Sequence, residues 1–357
     1  MEPNPLAADL DHVLAHTSGL WEELRGRRIF ITGGTGFFGC WLLESFAWAN
    51  EHLGINATAE VLTRDPAVFR NKAPHLAAHP SIRLRVGDVR NFQFPEGEFA
   101  GVIHAATQST VKVTRDTLIE NLDTIVSGTR RALDFTVACG ASRFLLTSSG
   151  AVYGRLPETV THVGEEYQGG PDVSNPFSVY AESKRLAELQ CAIYRHCHGL
   201  EPRIARGFAF VGPYLPLDVH FAVGNFIRDA LAGQPIRVQG DGTPRRSYLY
   251  GADLAVWLWT IFFRGQSGRA YNVGSEEAIS IGELAELVSR VSHTKPPVQI
   301  AARHSGGSAV EWYVPSTRRA LRELGLRPMI GLDEGVRRTM QWYSSRIANG
   351  DGGAQSP

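Results

Sequence analysis

The stretch Arg28–Gly39, which reads R-I-F-I-T-G-G-T-G-F-F-G, decides the fold of this 357-residue chain. Its first five residues are mostly β-branched or aromatic, which predicts a short buried strand that stops at the first glycines. The apolar run Phe37–Asn50 then predicts a helix. Gly33, Gly36 and Gly39 are spaced G-x-x-G-x-x-G. Between a strand and a helix, such glycines let the backbone approach a pyrophosphate at the helix N-terminus. The motif therefore predicts a dinucleotide site.

The same alternation of strands and helices continues along the chain. Further strands are predicted at Ala59–Leu62, Ile82–Val86, Gly101–Ala105, Arg143–Thr147 and Pro202–Ala205, with long helices at Leu118–Cys139 and Ser178–His198. Strands that alternate with helices are typical of βαβ units, so we expect an α/β fold with a doubly wound parallel Rossmann sheet. After residue 207 or so, Gly- and Pro-rich loops separate shorter helices, predicted at Asn225–Gly233, Gly251–Phe263 and Ile281–Val291.

These changes in pattern predict the domain organisation. We expect an N-terminal helical extension over 1–27, with its helix at 10–26, and an NAD(P)-binding domain over 28–207. A smaller C-terminal α/β lobe, 208–347, is expected to bind substrate and to interleave with the first domain. The Gly-rich residues 348–357 are expected to be a disordered tail.

Composition excludes several classes of function. Lys plus Arg and Asp plus Glu number 36 each, so there is no global basic field of the kind that nucleic-acid binders use. Four scattered cysteines fit a reducing compartment, and we expect a cytoplasmic protein. We expect no signal peptide or membrane span, since no long apolar run occurs. The stretch Arg195–His198 lacks a second Cys or His pair, so we expect no metal.

The end of the second strand bears on the choice of dinucleotide. A carboxylate there binds the ribose hydroxyls of NAD, whereas an arginine accommodates the 2′-phosphate of NADP. This strand is followed by Thr63, Arg64 and Asp65, so Arg64 favours NADP while Asp65 leaves a ribose contact open. Asp88, just past the third strand, lies where an adenine amino group is expected.

A Y-x-x-x-K pattern supplies candidate catalytic groups. Tyr180 and Lys184 are four residues apart on a predicted helix and therefore share one face. An ammonium there favours the tyrosinate and is expected to lower the pKa of the phenol, so that Tyr180 can exchange a hydroxyl proton while a nicotinamide exchanges hydride. Ser149, at the C-terminal end of a predicted strand, is placed to hold the substrate oxygen.

Together these motifs resemble the extended short-chain dehydrogenase/reductase superfamily, specifically its NAD-dependent epimerase/dehydratase branch that modifies nucleotide sugars. The resemblance extends from about Arg28 to Leu326. It rests on TGGTGFFG at 32–39, GDV at 87–89, HAA at 104–106, SSGAVYG at 148–154, YAESK at 180–184, GP at 212–213, GDGTPRRSYLY at 240–250 and YNVGS at 271–275.

The resemblance implies roles for individual residues. The implied catalytic set is Ser149, Tyr180 and Lys184. The implied cofactor-binding set adds to Tyr180 and Lys184 the residues Gly33, Thr35, Gly36, Phe37, Phe38, Gly39, Arg64, Asp88, Val89, Ala105, Ala106, Thr107 and Asn121. The implied substrate set, which would hold a nucleoside-diphosphate sugar, is Gln108, Ser149, Asn225, Phe226, Arg246 and Arg303. The resemblance also implies a homodimer formed through the two long helices.

The chain departs from the family pattern in ways that bear on the reaction. Relatives that eliminate water across C5 and C6 carry an Asp-Glu pair where this chain has Gly150 and Ala151. Related decarboxylases usually place a glutamate in the loop after the fourth strand, which here reads Thr107-Gln108-Ser109-Thr110. The family's Asn before the GP turn is Ala209. These differences disfavour a 4,6-dehydratase, a decarboxylase and an ordinary galactose epimerase.

Two reactions remain as the leading candidates. A 4-epimerase holds NAD tightly, oxidises C4 and returns hydride to the other face, for which Ser149, Tyr180 and Lys184 suffice. A 4-keto sugar reductase uses NADPH, and Arg64 favours this alternative. A third reading, a non-catalytic dinucleotide-binding sensor, is disfavoured by the intact Ser-Tyr-Lys set.

Overall fold

The computed structural model describes residues 4–107, 114–219, 221–301 and 310–348. Its strands are β1 (Arg28–Thr32), β2 (Thr58–Thr63), β3 (Ile82–Val86), β4 (Gly101–His104), β5 (Arg143–Ser149), β6 (Glu201–Gly207), β7 (Phe210–Val211), β8 (Ile236–Val238), β9 (Arg245–Arg246), β10 (Leu249–Tyr250), β11 (Arg269–Val273), β12 (Ile279–Ser280), β13 (Val298–Ile300) and β14 (Trp312–Tyr313).

The α-helices are interspersed with these strands along the chain. They are α1 (Ala7–Thr17), α2 (Phe37–Leu53), α3 (Pro66–Lys72), α4 (Pro74–Ala77), α5 (Leu118–Ala138), α6 (Val179–His198), α7 (Ala222–Leu231), α8 (Gly251–Arg264), α9 (Ile281–Val291), α10 (Arg318–Leu324) and α11 (Leu332–Ala348).

Seven strands form one parallel sheet in the order β11-β6-β5-β4-β1-β2-β3. This confirms the predicted doubly wound Rossmann architecture. The strand order reverses between β1 and β4, and ligands of open α/β sheets bind at such a switch point, outside the carboxyl ends of the strands. The edge strand β11 comes from the second half of the chain, so this sheet draws on both halves.

The helix expected over 10–26 is wrong in its extent. The α-helix covers Ala7–Thr17, and a separate 3₁₀ turn covers Trp21–Leu24. Gly19 lies between them with φ of +82°, a left-handed conformation that a continuous α-helix cannot contain. Both segments pack on the core, where Trp21 and Leu24 are fully buried.

The N-terminal helix α1 is tied to the C-terminal half by buried polar contacts. Asp9 accepts a 2.6 Å hydrogen bond from the Tyr250 hydroxyl and forms an ion pair with Arg338. One turn later His12 contacts the fully buried Asp253 at 3.1 Å. A buried carboxylate with several hydrogen-bond or ion-pair partners holds those partners in place. Removing one of them would leave an uncompensated charge in a medium of low dielectric constant. The extension is therefore an integral layer of the fold.

Candidate active site

The glycine loop joins β1 to α2 with no room for side chains. Gly33 has φ of +69°, and a β-carbon there would lie 2.4 Å from the carbonyl carbon of Ala105. At Gly39 a β-carbon would lie 2.3 Å from the Cα of Gly34. Gly36 is the N-cap of α2, so the free amides of the first helical turn face outward beside the loop. The loop thus forms a backbone cradle suited to a pyrophosphate, and Thr35 lies within it.

The two charged residues after β2, Arg64 and Asp65, have different environments. The carboxylate of Asp65 caps α3, accepting from the backbone N–H groups of Ala67 at 2.8 Å and Val68 at 3.4 Å. Arg64 is exposed, and its positive charge contributes to lowering the pKa of Asp88. The alternative of a ribose contact from Asp65 therefore competes with its capping role, whereas Arg64 is free to face an anion on this side of the site.

The segment after β3 carries two of the predicted cofactor residues, Asp88 and Val89. Asp88 forms a bidentate ion pair with Arg90, with both Nε–Oδ1 and Nη2–Oδ2 distances at 2.8 Å, and this hydrogen bonding holds the pKa of Asp88 below its ordinary value. Val89 is buried and packs on α5 at Gly128, where a β-carbon would lie 2.8 Å from Val89 Cγ1. The assignment of both residues to the adenine remains a prediction.

The structure brings the three predicted catalytic residues together. Ser149 is the last residue of β5 and is buried, and its Oγ accepts from the N–H of Ala151 at 3.1 Å. Tyr180 and Lys184 lie in the first two turns of α6, with Lys184 Nζ 5.9 Å from the centre of the Tyr180 ring. The Ser149 and Thr107 hydroxyls lie close enough to the Tyr180 phenol to lower its pKa, against the larger raising effect of burial. The Ser-Tyr-Lys set therefore exists as a spatial cluster at the switch-point edge of the sheet.

The electrostatics of this cluster differ from the expectation for Tyr180. Burial raises the pKa of the Tyr180 phenol above its ordinary value of 10.0, and the neighbouring Ser149 and Thr107 hydroxyls only partly oppose this. Burial lowers the pKa of Lys184 to about 8, while the negative charge of Glu188 raises it. The expectation that the lysine lowers the phenol pKa is thus wrong for the nucleotide-free protein. The reason is that desolvation dominates both groups.

A buried polar framework holds the lysine in place. Lys184 Nζ donates to the carbonyl oxygen of Thr147 at 2.8 Å. Beneath it, His104 joins Thr32 Oγ1 at 2.7 Å and Thr129 Oγ1 at 3.1 Å. Burial and the nearby Lys184 charge lower the pKa of His104 to about 3, so this imidazole is neutral. His104 therefore ties β4 to β1 and α5 directly below the reacting groups.

Buried polar atoms on the cofactor side fit a bound dinucleotide. Within the described residues, both side-chain atoms of Asn121 are buried without a hydrogen-bond partner, and so is Ser183 Oγ. Buried amides are nearly always hydrogen-bonded, so an unsatisfied one points to a group that is absent here. Ala105, Ala106 and Thr107 follow β4 at the same edge and remain partly accessible. These residues fit the nicotinamide end of the cofactor.

Four of the six predicted substrate residues belong to the second half of the chain. Arg246, on β9, is half-buried and forms an ion pair with Glu311 at 2.7 Å. Asn225 lies on α7, where Arg228 donates to its side chain at 3.2 Å, and Phe226 is buried in the main core. Gln108 and Arg303 lie outside the described residues.

Phe37 and Phe38, two of the predicted cofactor residues, are the first two residues of α2. Their rings pack towards Phe210, with centroid distances of 6.3 Å from Phe37 and 4.9 Å from Phe38.

Two aromatic residues that sequence reasoning missed complete the site. The ring of Phe208 lies against Gly150, where a β-carbon would lie 2.7 Å from Phe208 Cζ. Tyr313, on β14, packs on Phe208 with ring centroids 4.8 Å apart, and burial raises the pKa of its phenol, an effect that neighbouring Ser149 partly opposes. No motif marks Tyr313, which is more than 130 residues from Tyr180 in sequence. Their aromatic pair fills the space beside the catalytic serine.

Two searches of the described ranges bear on other kinds of site. No three His, Cys, Asp or Glu side chains in those ranges gather as metal ligands would. None of the described helices combines the length and apolar character that a bilayer crossing demands.

Comparison with known proteins agrees with this geometry. The model of the NAD dependent epimerase/dehydratase family matches residues 29–274. UDP-glucuronic acid decarboxylase 6 of Arabidopsis thaliana is 32% identical over 315 residues, which cover 87% of this chain and 86% of that protein. UDP-glucuronate 4-epimerase of Thermodesulfobacterium geofontis is 27% identical over 270 residues, with coverage of 73% and 79%.

A solved structure extends the likeness to the cofactor-bound state of a relative. The UDP-glucose 4-epimerase of Thermus thermophilus, in complex with NAD, superposes with a TM-score of 0.70 at 25% identity and covers 88% of this chain and 98% of that one. A switch-point glycine loop, an assembled Ser-Tyr-Lys set and a family model that matches most of the chain lead to one conclusion: this chain is an enzyme of the NAD dependent epimerase/dehydratase family.

Proposed function

We propose that this enzyme is a nucleotide-sugar 4-epimerase, which oxidises C4 of a nucleoside-diphosphate sugar and reduces the 4-keto sugar from the opposite face. The observation that carries the proposal is the combination of a complete Ser149-Tyr180-Lys184 set with two residues directly after Ser149, Gly150 and Ala151, that carry no acid. Gly150 and Ala151 cannot transfer protons, and the Phe208 ring occupies the space that a larger side chain at 150 would need.

The proposed chemistry assigns a task to each catalytic side chain. Tyr180 takes the proton of the C4 hydroxyl and later returns it, while Ser149 donates a hydrogen bond to the same oxygen. Lys184, held by the Thr147 carbonyl, would stabilise the ionised phenol and would be the residue that binds the cofactor ribose. The bound dinucleotide supplies the acceptor and donor of hydride. A cationic nicotinamide would add the positive charge that lowers the pKa of Tyr180, which the lysine alone does not achieve.

The names of relatives make decarboxylation the first competitor. The Arabidopsis relative at 32% identity is named a UDP-glucuronic acid decarboxylase. Loss of carbon dioxide from a 4-keto acid needs a carboxylate substrate and groups that manage its charge and the proton that replaces it. Among the described residues, the wall next to Ser149 includes Gly150, Phe208 and the neutral Tyr313, which favours chemistry confined to C4.

Arg64 supports a second candidate, a 4-keto sugar reductase that uses NADPH. The end of β2 presents this guanidinium, while the carboxylate that follows it, Asp65, caps α3. A guanidinium suits the 2′-phosphate of NADP because it offers several donors in a fixed plane. The two candidates thus differ in the cofactor: the epimerase would hold NAD throughout the cycle, whereas the reductase would bind and release NADPH.

The substrate diphosphate is assigned to Arg246. Its guanidinium is half-buried beside the Tyr313 ring, 5.6 Å from the ring centre, and its partner Glu311 is largely exposed. A diphosphate offers more oxygen acceptors than one carboxylate and can take over the guanidinium. Asn225 is proposed to contact the same group. Phe226, which is buried in the core, is proposed to support α7 beneath it.

The proposed assembly is a homodimer formed through α5 and α6. These helices pack together and expose six large apolar side chains: Ile119, Leu122, Val137, Leu186, Leu189 and Ile193. Covering such a face would remove apolar area from water. Sedimentation velocity should give a dimer for the wild type and a monomer for Leu189→Glu.

The cytoplasm is the proposed location, because the four cysteines are unpaired and three are buried.

A product analysis distinguishes the candidates. Purified enzyme is incubated with a panel of UDP-, dTDP-, GDP- and CDP-sugars, and the products are examined by mass spectrometry and NMR. The proposal expects an unchanged mass with inverted C4, bound NAD in the purified protein and turnover without added nucleotide. Gain of two hydrogens that requires NADPH would establish the reductase instead. Loss of water or of carbon dioxide would overturn the argument from Gly150 and Ala151.

Two variants show whether the product comes from this site. Tyr180→Phe should abolish turnover because it removes the base while keeping the ring. Tyr343→Phe is the matched control: the Tyr343 hydroxyl, on α11, donates to the Leu215 carbonyl and belongs to none of the proposed catalytic or binding sets, so the turnover of this variant should equal that of the wild type.

A further inference from the structure

Two charged side chains of α6 contact β5 directly before the catalytic serine. Lys184 Nζ donates to the carbonyl oxygen of Thr147 at 2.8 Å. One turn later, Glu188 Oε1 accepts from the hydroxyl of Ser148 at 2.6 Å. Lys184 and Glu188 are four residues apart and share one face of the helix. The catalytic helix is thus bonded to both of the consecutive residues that precede Ser149.

The Glu188 carboxylate also holds the neighbouring strand. Arg206, on β6, is directly opposite Ser148 in the parallel register. Its guanidinium donates from Nε to Glu188 Oε1 at 2.9 Å and from Nη2 to Glu188 Oε2 at 2.6 Å. The side chains of Arg206 and Glu188 are 15% and 12% exposed, so this ion pair is largely shielded from water. One carboxylate therefore joins α6, β5 and β6 at the level of the residue before Ser149.

The remaining guanidinium nitrogen extends the network to the turn that follows β5. Arg206 Nη1 donates to the hydroxyl of Tyr153 at 2.9 Å, and that hydroxyl donates to Asn272 Oδ1 on β11 at 2.7 Å. Tyr153 and Asn272 are buried. Asn272 Nδ2 in turn donates to the carbonyl oxygens of Val163 at 2.9 Å and Ser316 at 3.0 Å. Because a buried polar network whose members are all hydrogen-bonded specifies one arrangement, this one fixes the segments on both sides of the catalytic serine.

We propose that Glu188 is a positioning residue: with Arg206 it holds the end of β5 against α6 and so fixes the distance between Ser149 and the Tyr180-Lys184 pair. A buried ion pair adds little net stability over apolar side chains of similar size, so stability alone does not account for it. Position does, because a shift of about 1 Å in a reacting group can cost about a hundredfold in rate. The catalytic consequence rests on the proposed function, whereas the contact itself exists in the protein without substrate.

The test replaces the ion pair by apolar side chains. Removing one partner alone would leave an uncompensated buried charge and lower the stability, so Glu188→Met and Arg206→Met are combined. The urea midpoint of this double variant should stay close to that of the wild type. The matched control combines Glu60→Met with Arg28→Met. Glu60 is also buried and ion-paired, but Arg28 is the first residue of β1 and lies at the opposite edge of the sheet from the site.

Hydrogen exchange of the nucleotide-free protein provides a readout that needs no substrate. Peptides that cover residues 143–153 should exchange about tenfold faster in the Glu188-Arg206 double variant, because the end of β5 opens locally without global unfolding. The same peptides should exchange at the wild-type rate in the Glu60-Arg28 control. A rise in exchange over the whole chain would instead show a general loss of stability and would overturn the positioning role.

Turnover provides the second readout. On the substrate that the wild type converts, the Glu188-Arg206 double variant should lower kcat about thirtyfold while KM stays within about threefold, since the reacting groups shift but the binding residues remain. Ser148→Ala should change both readouts in the same direction by a smaller amount. It removes only the hydroxyl that Glu188 holds and keeps the carboxylate, whose negative charge also raises the pKa of Lys184. Ser148→Ala therefore separates position from charge, and it decides the question if the double variant does not fold.

The outcomes separate this proposal from the proposed function. Wild-type exchange over residues 143–153 in a folded double variant, or an unchanged kcat, would overturn the positioning role of Glu188. A wild type that converts no nucleotide sugar would contradict the proposed function, while the exchange rates would still decide whether Glu188 holds β5. Faster local exchange together with a reduced kcat and a preserved KM supports both.

Discussion

Replacing Lys184 by methionine should stabilise the nucleotide-free fold while abolishing catalysis. The lysine is almost fully buried, and burial lowers its pKa from the ordinary 10.5 to about 8. A pKa difference of this size means that keeping the buried ammonium charged near neutral pH lowers the free energy of unfolding by about 3 kcal/mol. Methionine has a similar length and carries no charge. The variant also loses the hydrogen bond to the Thr147 carbonyl, and this loss reduces the gain in stability by about 1 to 2 kcal/mol.

The net expectation is that Lys184→Met is about 1 to 2 kcal/mol more stable at pH 7, with a defined dependence on pH. Below pH 8 both the folded and the unfolded wild type carry the proton, so the full cost is present. Between pH 8 and 10.5 the folded lysine loses its proton while the unfolded one keeps it, and the wild type gains stability as pH rises. The advantage of the variant should therefore disappear over this interval.

The assay is urea unfolding of nucleotide-free protein at several pH values from about 7 to about 10, with activity measured in parallel. Lys72→Met is the matched control, because Lys72 also donates to a backbone carbonyl, that of Thr35 at 3.0 Å, but is only partly buried. Its change in stability measures the loss of a lysine-to-carbonyl hydrogen bond at a partly buried position. A Lys184→Met variant that is less stable than the wild type by a constant amount across the range would refute the reasoning.

Three further substitutions probe the cradle, the aromatic wall and the N-terminal extension. Gly33→Ala should lose dinucleotide binding, measured by fluorescence titration, because its β-carbon meets strand-end backbone at 2.4 Å and its φ is +69°. Gly150→Asp should lower the free energy of unfolding by about 1 to 3 kcal/mol through collision with Phe208, and adding Phe208→Ala should weaken that specific effect. Asp9→Asn should destabilise the fold by about 2 to 4 kcal/mol in the same unfolding assay, because Arg338 loses its buried counter-charge. Independence of the effects at Gly150 and Phe208, or a neutral Asp9→Asn, would contradict these accounts.

Local patterns determined much of this molecule. The strand and glycines of Arg28–Gly39 specified a dinucleotide cradle, since only glycine tolerates the left-handed conformation and backbone approach found at Gly33. The four-residue spacing of Tyr180 and Lys184 placed them on one helical face. Such features depend on neighbours in sequence, and short-range geometry is nearly the same in any fold. Boundaries were less secure, and the first helix ends at Thr17 because Gly19 turns the chain.

Only the tertiary structure decided the environment of those groups. It diverted Asp65 to cap α3, raised the pKa of Tyr180 through burial, and brought Tyr313 and Phe208 to Ser149 from distant parts of the chain. Each result depends on which polar atoms are shielded from water. That shielding is produced by segments that are distant in sequence and pack together in the folded chain. The sequence by itself determined the groups that do chemistry, and long-range packing decided their pKa values and hydrogen-bond partners, because desolvation acts through every neighbour at once.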